Sequence, residues 1–350
     1  MSTSTITTPA VPLPRYPVLL SGLDVLERGP DEIQLGLDPR HGVVITDLPD
    51  AVVGRLRRLD GQQSVDTILL AESEHREQLR TVLTQLTALG LVTEAEPASH
   101  SPRRGAETGL WSLRARHHQT ALTERRRNSA MAVHGDGRLA VATAVLLANA
   151  GVGHIDVRMS GTVIEQDLGS GFTETELGKP RRTALADVVH RVDARTRTTR
   201  LTSIRGPELV LLTDAVVPAP EVVDELMTAG TPHLPVRVRD GTGIVGPLVV
   251  PGRSSCLHCA DLHRTDLEPC WPRVASQLIR HDQHPDLGAV QATAALGVAQ
   301  AMRLLSPSET APPVWNATLE IDAFEGKVRR RVWVPHPRCG CGASAVRHPA

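Results

Sequence analysis

Three of the five cysteines stand within "SSCLHCADLHRTDLEPCWP", residues 254–272, and the other two lie in "HPRCGCG" near the end of the chain. Cys256 and Cys259 have the spacing of a turn that points two sulfurs at one ion, and Cys339 and Cys341 supply a second pair. Four thiolates fill tetrahedral zinc and leave no open position, so the site expected here is structural rather than hydrolytic. The second pair is Cys-x-Cys, tighter than Cys-x-x-Cys, and His336, His258 or His263 could take the place of one thiolate. Cys270 falls outside both pairs and has no evident base partner, which reads as an incidental thiol rather than a nucleophile. His281 and His284 in "RHDQHPD" have metal-like spacing but read as a solvated loop. No catalytic residue is assigned.

A second stretch with chemical potential is "GDGRLA", Gly135 to Ala140, a glycine-x-glycine-x-x-alanine turn after a strand and before a helix. Gly135 would make the turn, Gly137 would let a phosphate approach the backbone, and the small Ala140 would permit close helix–strand packing at a positive helix end. Small residues there also serve packing with no nucleotide present. A dinucleotide site calls for an acid at the end of the second strand. In "HIDVRMSG" that end holds Met159 and Gly161, and Asp156 lies inside the strand, three residues too early.

Bulk properties narrow the partners. The chain has 350 residues, a formal net charge of −1 and 22% charged residues, which gives no global field for nucleic acid and no acidic tail. Aromatics are only 2%, so the stacking platforms of single-strand binders are nearly absent. There is no eighteen-residue apolar run and no signal-peptide start, from which a cytoplasmic protein is expected, with no membrane partner. In a reducing compartment, paired cysteines hold metal more readily than they form a disulfide.

The elements that must position these residues form two groups. Residues 18–95 read as a small α+β unit: "DEIQLGL" and "HGVVIT" make a hairpin across "DPRH", Val52, Val53, Leu56 and Leu59 mark a helix stopped by Gly61, Ser64 caps a second helix, and an amphipathic third runs to Gly90. The pattern is winged-helix-like, within a module spanning 1–95, although a plain packing domain has the same signature. The third helix carries only two arginines and two glutamates, a poor phosphate-binding face. Residues 96–128 are polar, arginine-rich and broken by Pro and Gly, and read as a linker. From 129 to 350 strands alternate with helices, the βαβ pattern of an α/β, Rossmann-like domain with a mostly parallel sheet.

With these residues in place, "GDGRLAVATAVLLANAGVGHIDVRMSGTVIEQDLGSGFTETELGKPRR" resembles the core of the E1-like (ThiF/MoeB-type) adenylyltransferase superfamily, and Thr213–Asp214 resembles its second aspartate motif. "DGTGIVGPLVVPGRSSCLHCADLHRTDLEPCWP" with "HPRCGCG" is similar, more narrowly, to the E1-like proteins of thiazole/oxazole-modified peptide clusters. That resemblance implies a winged-helix element that captures the leader of a ribosomal precursor peptide, a zinc-bearing E1-like domain, a YcaO-type cyclodehydratase as partner, and a homodimer. The acids and the arginine of the active family are replaced by Met159, Gly161 and Ser170, and its lysine by Arg181, while Asp214 remains. A degenerate nucleotide site of Gly135, Gly137, Ala140, Arg181 and Asp214 is expected, with ATP not its ligand. An adenylating enzyme and a zinc-stabilised winged-helix regulator are the alternatives.

Overall fold

The computed structural model describes residues 12–20, 22–39, 41–95, 102–115, 119–202, 206–279, 285–306 and 311–343. Contacts divide the chain into two units, 1–124 and 125–350.

In the first unit, β1 (Pro17–Leu19) will pair antiparallel with a later strand, while β2 (Val25–Gly29), β3 (Glu32–Leu35) and β4 (Val43–Ile45) form a three-stranded antiparallel sheet. The helices α1 (Asp50–Leu56), α2 (Val65–Leu70) and α3 (Arg76–Ala88) follow, and β5 (Val92–Glu94) closes on β1. The expected hairpin is β3–β4; β2 was not legible, because its side chains are mostly exposed and show no alternation. Val52, Val53, Leu56 and Leu59 are all buried, as their spacing predicts. Ser64 accepts the Thr67 amide, capping α2, whereas α1 ends ahead of Gly61. At the end of α3, Gly90 takes a φ of 72° and the Leu91 amide reaches back to the Leu86 carbonyl, which satisfies a terminal carbonyl in a Schellman turn. A continuous apolar core of Ile33, Leu35, Leu56, Leu79, Leu83 and Leu86 joins sheet to helices, each fully buried leucine contributing roughly 2 kcal/mol. In the stretch read as a linker, α4 (Pro102–Ala115) and α5 (Gln119–Asn128) form helices; arginines, good helix formers, dominate a stretch that a polarity-based reading takes for a connector.

The second unit holds a seven-stranded sheet. Its parallel half is β6 (Ala130–His134), α6 (Arg138–Asn149), β7 (His154–Arg158), α7 (Arg181–Val192), β8 (Leu209–Thr213), α8 (Pro220–Thr228) and β9 (His233–Arg239). At Asp240–Gly241, both in the left-handed region, a two-residue turn sends the chain back as β10 (Thr242–Val245). The chain continues through α9 (Leu257–Leu267), α10 (Trp271–Leu278), α11 (Leu287–Leu305), β11 (Ala317–Asp322) and β12 (Lys327–Val332). Strand order is β12-β11-β10-β9-β8-β6-β7, so the sheet is parallel from β7 to β9 and antiparallel beyond. The hairpin turn imposes that change. Strands β6 and β8 are buried on both faces and read as near-continuous apolar runs. α6 packs against α7 and α11, its small Ala140, Ala144 and Ala148 fully or almost fully buried. Strand order reverses between β6 and β8, and their carboxyl ends therefore open the crevice where an α/β sheet places a ligand. Among the described residues, no helix is long and apolar enough to cross a membrane.

Candidate functional site

The glycine turn lies in that crevice, but the amides of Gly135, Gly137 and Leu139 are already occupied, the first by the Arg158 carbonyl. α6 starts at Gly137 with no side-chain cap of its own. Asp214, one residue past β8, instead accepts the Gly137 amide at 2.9 Å on Oδ2 and the Leu139 amide at 3.3 Å on Oδ1. Orphan amides at a helix start draw an anion, and here a carboxylate from a distant strand supplies it. Thr213 Oγ1 lies 3.1 Å from the same carboxylate and 2.9 Å from the His134 carbonyl, and its one proton, shared between these two acceptors, ties both strand ends to the turn. Asp214 sits at a φ of 68°, a left-handed region that Asp tolerates better than most residues. Burial pushes its carboxyl above the usual range, against the amides of Gly137, Leu139 and Ala140 and the Thr213 hydroxyl, which favour the anion.

The glycines answer to this carboxylate. A Cβ on Gly135 would lie 2.1 Å from Thr213 Oγ1 and 2.5 Å from Asp214 Oδ2, and one on Gly137 would lie 2.9 Å from Asp214 Oδ1. Asp136 between them accepts both the Ser160 amide and, at 2.8 Å, the Ser160 hydroxyl. It therefore spans to the end of β7, where a ribose-binding acid was sought. Asp156 is buried and accepts the Leu201 amide at 3.2 Å, a structural use.

Arg181 opens α7 and is committed too. Its Nε donates to Asp167 Oδ2 at 2.8 Å and Nη1 to the Ser160 carbonyl at 3.3 Å, with the Asp167 side chain only 4% exposed. Removing one partner of a buried pair strands the other charge. Arg181→Ala is expected to lower stability by about 3–5 kcal/mol in chemical denaturation; a loss below about 1 kcal/mol, the range of exposed pairs, would mean the pair does not hold this loop. Ser170 is buried with no partner for its hydroxyl among the described residues.

The next loop carries a second buried acid that the sequence reading missed. Glu176 accepts the Thr173 amide and hydroxyl, the Thr175 hydroxyl and Arg191. Burial works to raise its pKa, but these donors outweigh it and hold the carboxyl down to about 2. A depressed acid stabilises the fold above its unfolded pKa, about 4.3, and that contribution is lost as pH falls toward 2. In thermal melts from pH 6 to 2, the gap between wild type and Glu176→Gln should be constant above about pH 5 and close below it; a gap that persists at pH 2 would contradict this role.

The four cysteines do converge. Cys256 caps α9, Cys259 lies in its first turn, and the chain beyond β12 returns Cys339 and Cys341 to them. The sulfurs are separated by 3.8 Å for Cys256–Cys259 and 3.6 Å for both Cys256–Cys339 and Cys259–Cys341, and all four lie within 4.8 Å of one another. A tetrahedral ion with zinc–sulfur bonds of about 2.3 Å requires sulfurs about 3.8 Å apart. The donor set and spacing thus fit a metal ion, and this group can hold one. The hydrogen bond from Cys256 pushes the Cys259 thiol down, toward the thiolate that a metal takes.

None of the three histidines joins the cluster. His336 accepts the Arg338 amide on Nδ1 and donates from Nε2 to Asp266 at 2.8 Å, leaving neither nitrogen for a metal. His263 donates to the Val334 carbonyl at 2.9 Å, and His258 is exposed. Asp266 also pairs with Arg338, so the returning segment is latched to α9 beside the cysteines. Cys270 is exposed at the start of α10; His281 and His284 lie outside the described residues.

No family model matches the chain, and no curated relative matches its sequence. Solved structures do. E. coli MccB with MccA-N7isoASN superposes with a TM-score of 0.69 at 14% identity, over 93% of this chain and 99% of that one. E. coli MccB alone gives 0.66 at 16% identity over 95% and 99%, and PaaA gives 0.64 at 14% over 89% and 98%. These neighbours bear out the expected E1-like fold. MccB has also been solved with ATP and, as the microcin C7 biosynthetic enzyme, with N-formylated MccA. The expectation that ATP is no ligand therefore draws no support from them.

Proposed function

We propose that this chain is an accessory protein of ribosomal-peptide modification, in which an E1-like domain with a self-closed nucleotide turn carries a module that captures the precursor's leader. The observation that carries the reading is Asp214 on the Gly137 and Leu139 amides: where a phosphate would bind, the protein has placed its own carboxylate. With Arg181 held by Asp167 as well, the two charged groups expected at the nucleotide, Arg181 and Asp214, are engaged internally. Leader capture rests on the small sheet of the first unit, whose outer strands β2 and β4 each have one unpaired edge among the described residues. Leu26, Gln34 and Val44 lie in one cross-strand row, with Leu26 and Val44 exposed. An extended peptide adds to such an edge through its backbone and seats alternate side chains on the face. The chemistry would then belong to a partner, a YcaO-type cyclodehydratase, with this chain paired as a homodimer and zinc on its four cysteines.

Binding of a labelled leader peptide, from a precursor encoded beside this chain, to the full-length protein tests capture. Val44→Asp should weaken it at least about tenfold, since a desolvated charge on the seat costs more than the apolar contact gains. Failure of the wild type to bind any such leader would end this reading. A second reading, adenylation of a carboxyl group with Gly135, Gly137, Arg181 and Asp214 around the nucleotide, is favoured by one observation. Arg138 Nε and Arg182 Nε, at the starts of α6 and α7, are buried without partners among the described residues. Pyrophosphate exchange dependent on a peptide or acid substrate would establish it, and the accessory reading predicts none.

A further inference from the structure

Beyond β8, a partly open cavity of about 230 Å³ is lined by the loop 216–218, α8, β9, β10, α9 and Trp271 of α10. It holds neither the glycine turn nor the cysteines. Its walls are apolar at Val216, Val223, Ile244 and Leu257, yet Arg237, Arg239 and Arg264 all open onto it.

The three arginines are not equally satisfied. Arg264 donates to Asp261 Oδ1 at 2.8 Å and lies between the rings of Trp271 and Trp333, at 5.2 and 4.7 Å from their centres. Trp271 Nε1 donates to the same Asp261 oxygen at 3.0 Å, so Oδ1 is shared by Arg264 and Trp271. Arg237, two residues before Arg239 on the same face of β9, is only 7% exposed. Its one partner among the described residues is a neutral one, the Val216 carbonyl at 3.1 Å from Nη1. Arg239 has no side-chain partner among them. The remaining acid of the lining, Asp224, is exposed. Burial, and then the charge of Arg264, push Arg237 down to about 9 against the opposing pull of Asp261, which makes no hydrogen bond to it. A buried guanidinium with no hydrogen-bonded acid is costly, and a bound carboxylate would supply one.

We propose that this cavity binds an organic carboxylate with a short apolar body, its oxygens held by Arg237 and Arg239 and its apolar atoms resting on Val216, Val223 and Ile244. The planar guanidinium fork matches a carboxylate in two parallel hydrogen bonds. The volume, several times that of a water, suits a small acid or the last residue of a chain. The site does not depend on the nucleotide turn or on leader capture.

The test is titration calorimetry on the full-length protein with N-acetyl-leucine, N-acetyl-leucinamide, inorganic phosphate and a short peptide ending in leucine with a free carboxyl group. The acid should bind, the amide should bind at least about tenfold more weakly, and Arg237→Gln and Arg239→Gln should each cost at least about tenfold. If Arg237→Gln does not fold, Arg239→Gln, at a half-buried position, carries the same test. A peptide that binds more tightly than N-acetyl-leucine places the carboxylate at a chain terminus; equal affinity places it on a free small acid. Equal binding of acid and amide, phosphate tighter than the acid, no binding of either carboxylate, or full binding by Arg239→Gln would each overturn the proposal.

Discussion

Purified protein is expected to carry one zinc per chain, and Cys256→Ser or prolonged chelation is expected to lower its melting temperature by about 10 °C or more. Four thiolates without an ion cannot all ionise at these separations, because each new charge lies within 4.8 Å of the others. The ion removes that repulsion and ties the segment after β12 to α9. Structural zinc binds its peptides with an apparent 10–16 kcal/mol. Losing even a few kcal/mol of this shifts the transition of a unit this size by roughly 2–4 °C per kcal/mol. Residues 334–343 should become a protease target at the same time, although the latch of His336 and Arg338 on Asp266 remains. Metal analysis finding no zinc, or a chelated protein with an unchanged melt and digestion pattern, would refute the clamp.

Gly135→Ala is expected to cost about 3 kcal/mol or more, since it combines a positive φ of 154° with a Cβ driven into Thr213 and Asp214. Gly137→Ala should cost about 1–3 kcal/mol, the range of overpacking, because the nearest atoms its Cβ meets are those of the Asp214 carboxylate. In an Asp214→Ala background the Gly137→Ala penalty should largely vanish, whereas the Gly135→Ala penalty should persist through Thr213. This non-additivity in denaturant unfolding is the signature of direct contact. Were Gly137 kept small only for a nucleotide, its substitution would leave the stability of the ligand-free protein unchanged in either background.

Much of this was legible because it is local. The βαβ alternation from Ala130 to Arg239, the Ser64 cap and the helix marked by Val52, Val53, Leu56 and Leu59 each depend on neighbours within a few residues, and periodicity or capping chemistry reports them. The cysteine cluster was legible because thiols are scarce in this chain. The contacts on which the proposed function rests were not. Asp214 reaches Gly137 across 77 positions, and no local pattern says whether a retained aspartate faces a ligand or caps a helix. Arg181 reads as a spare cation until Asp167 is found beside it. His336 has a metal ligand's chemistry and is excluded only by Asp266 and the Arg338 amide. Arg237 stands in "HLPVRVR", where an alternating strand predicts a solvent-facing charge; helices α8 and α9 line the space beside it and bury it.

The central claim is that the glycine turn is closed by the protein's own carboxylate, and titration calorimetry of Mg-ATP into the zinc-loaded full-length protein tests it most directly. The account predicts no binding heat up to millimolar nucleotide. Micromolar binding that is lost in Asp214→Ala would contradict it, and would make this aspartate part of a working adenylation site.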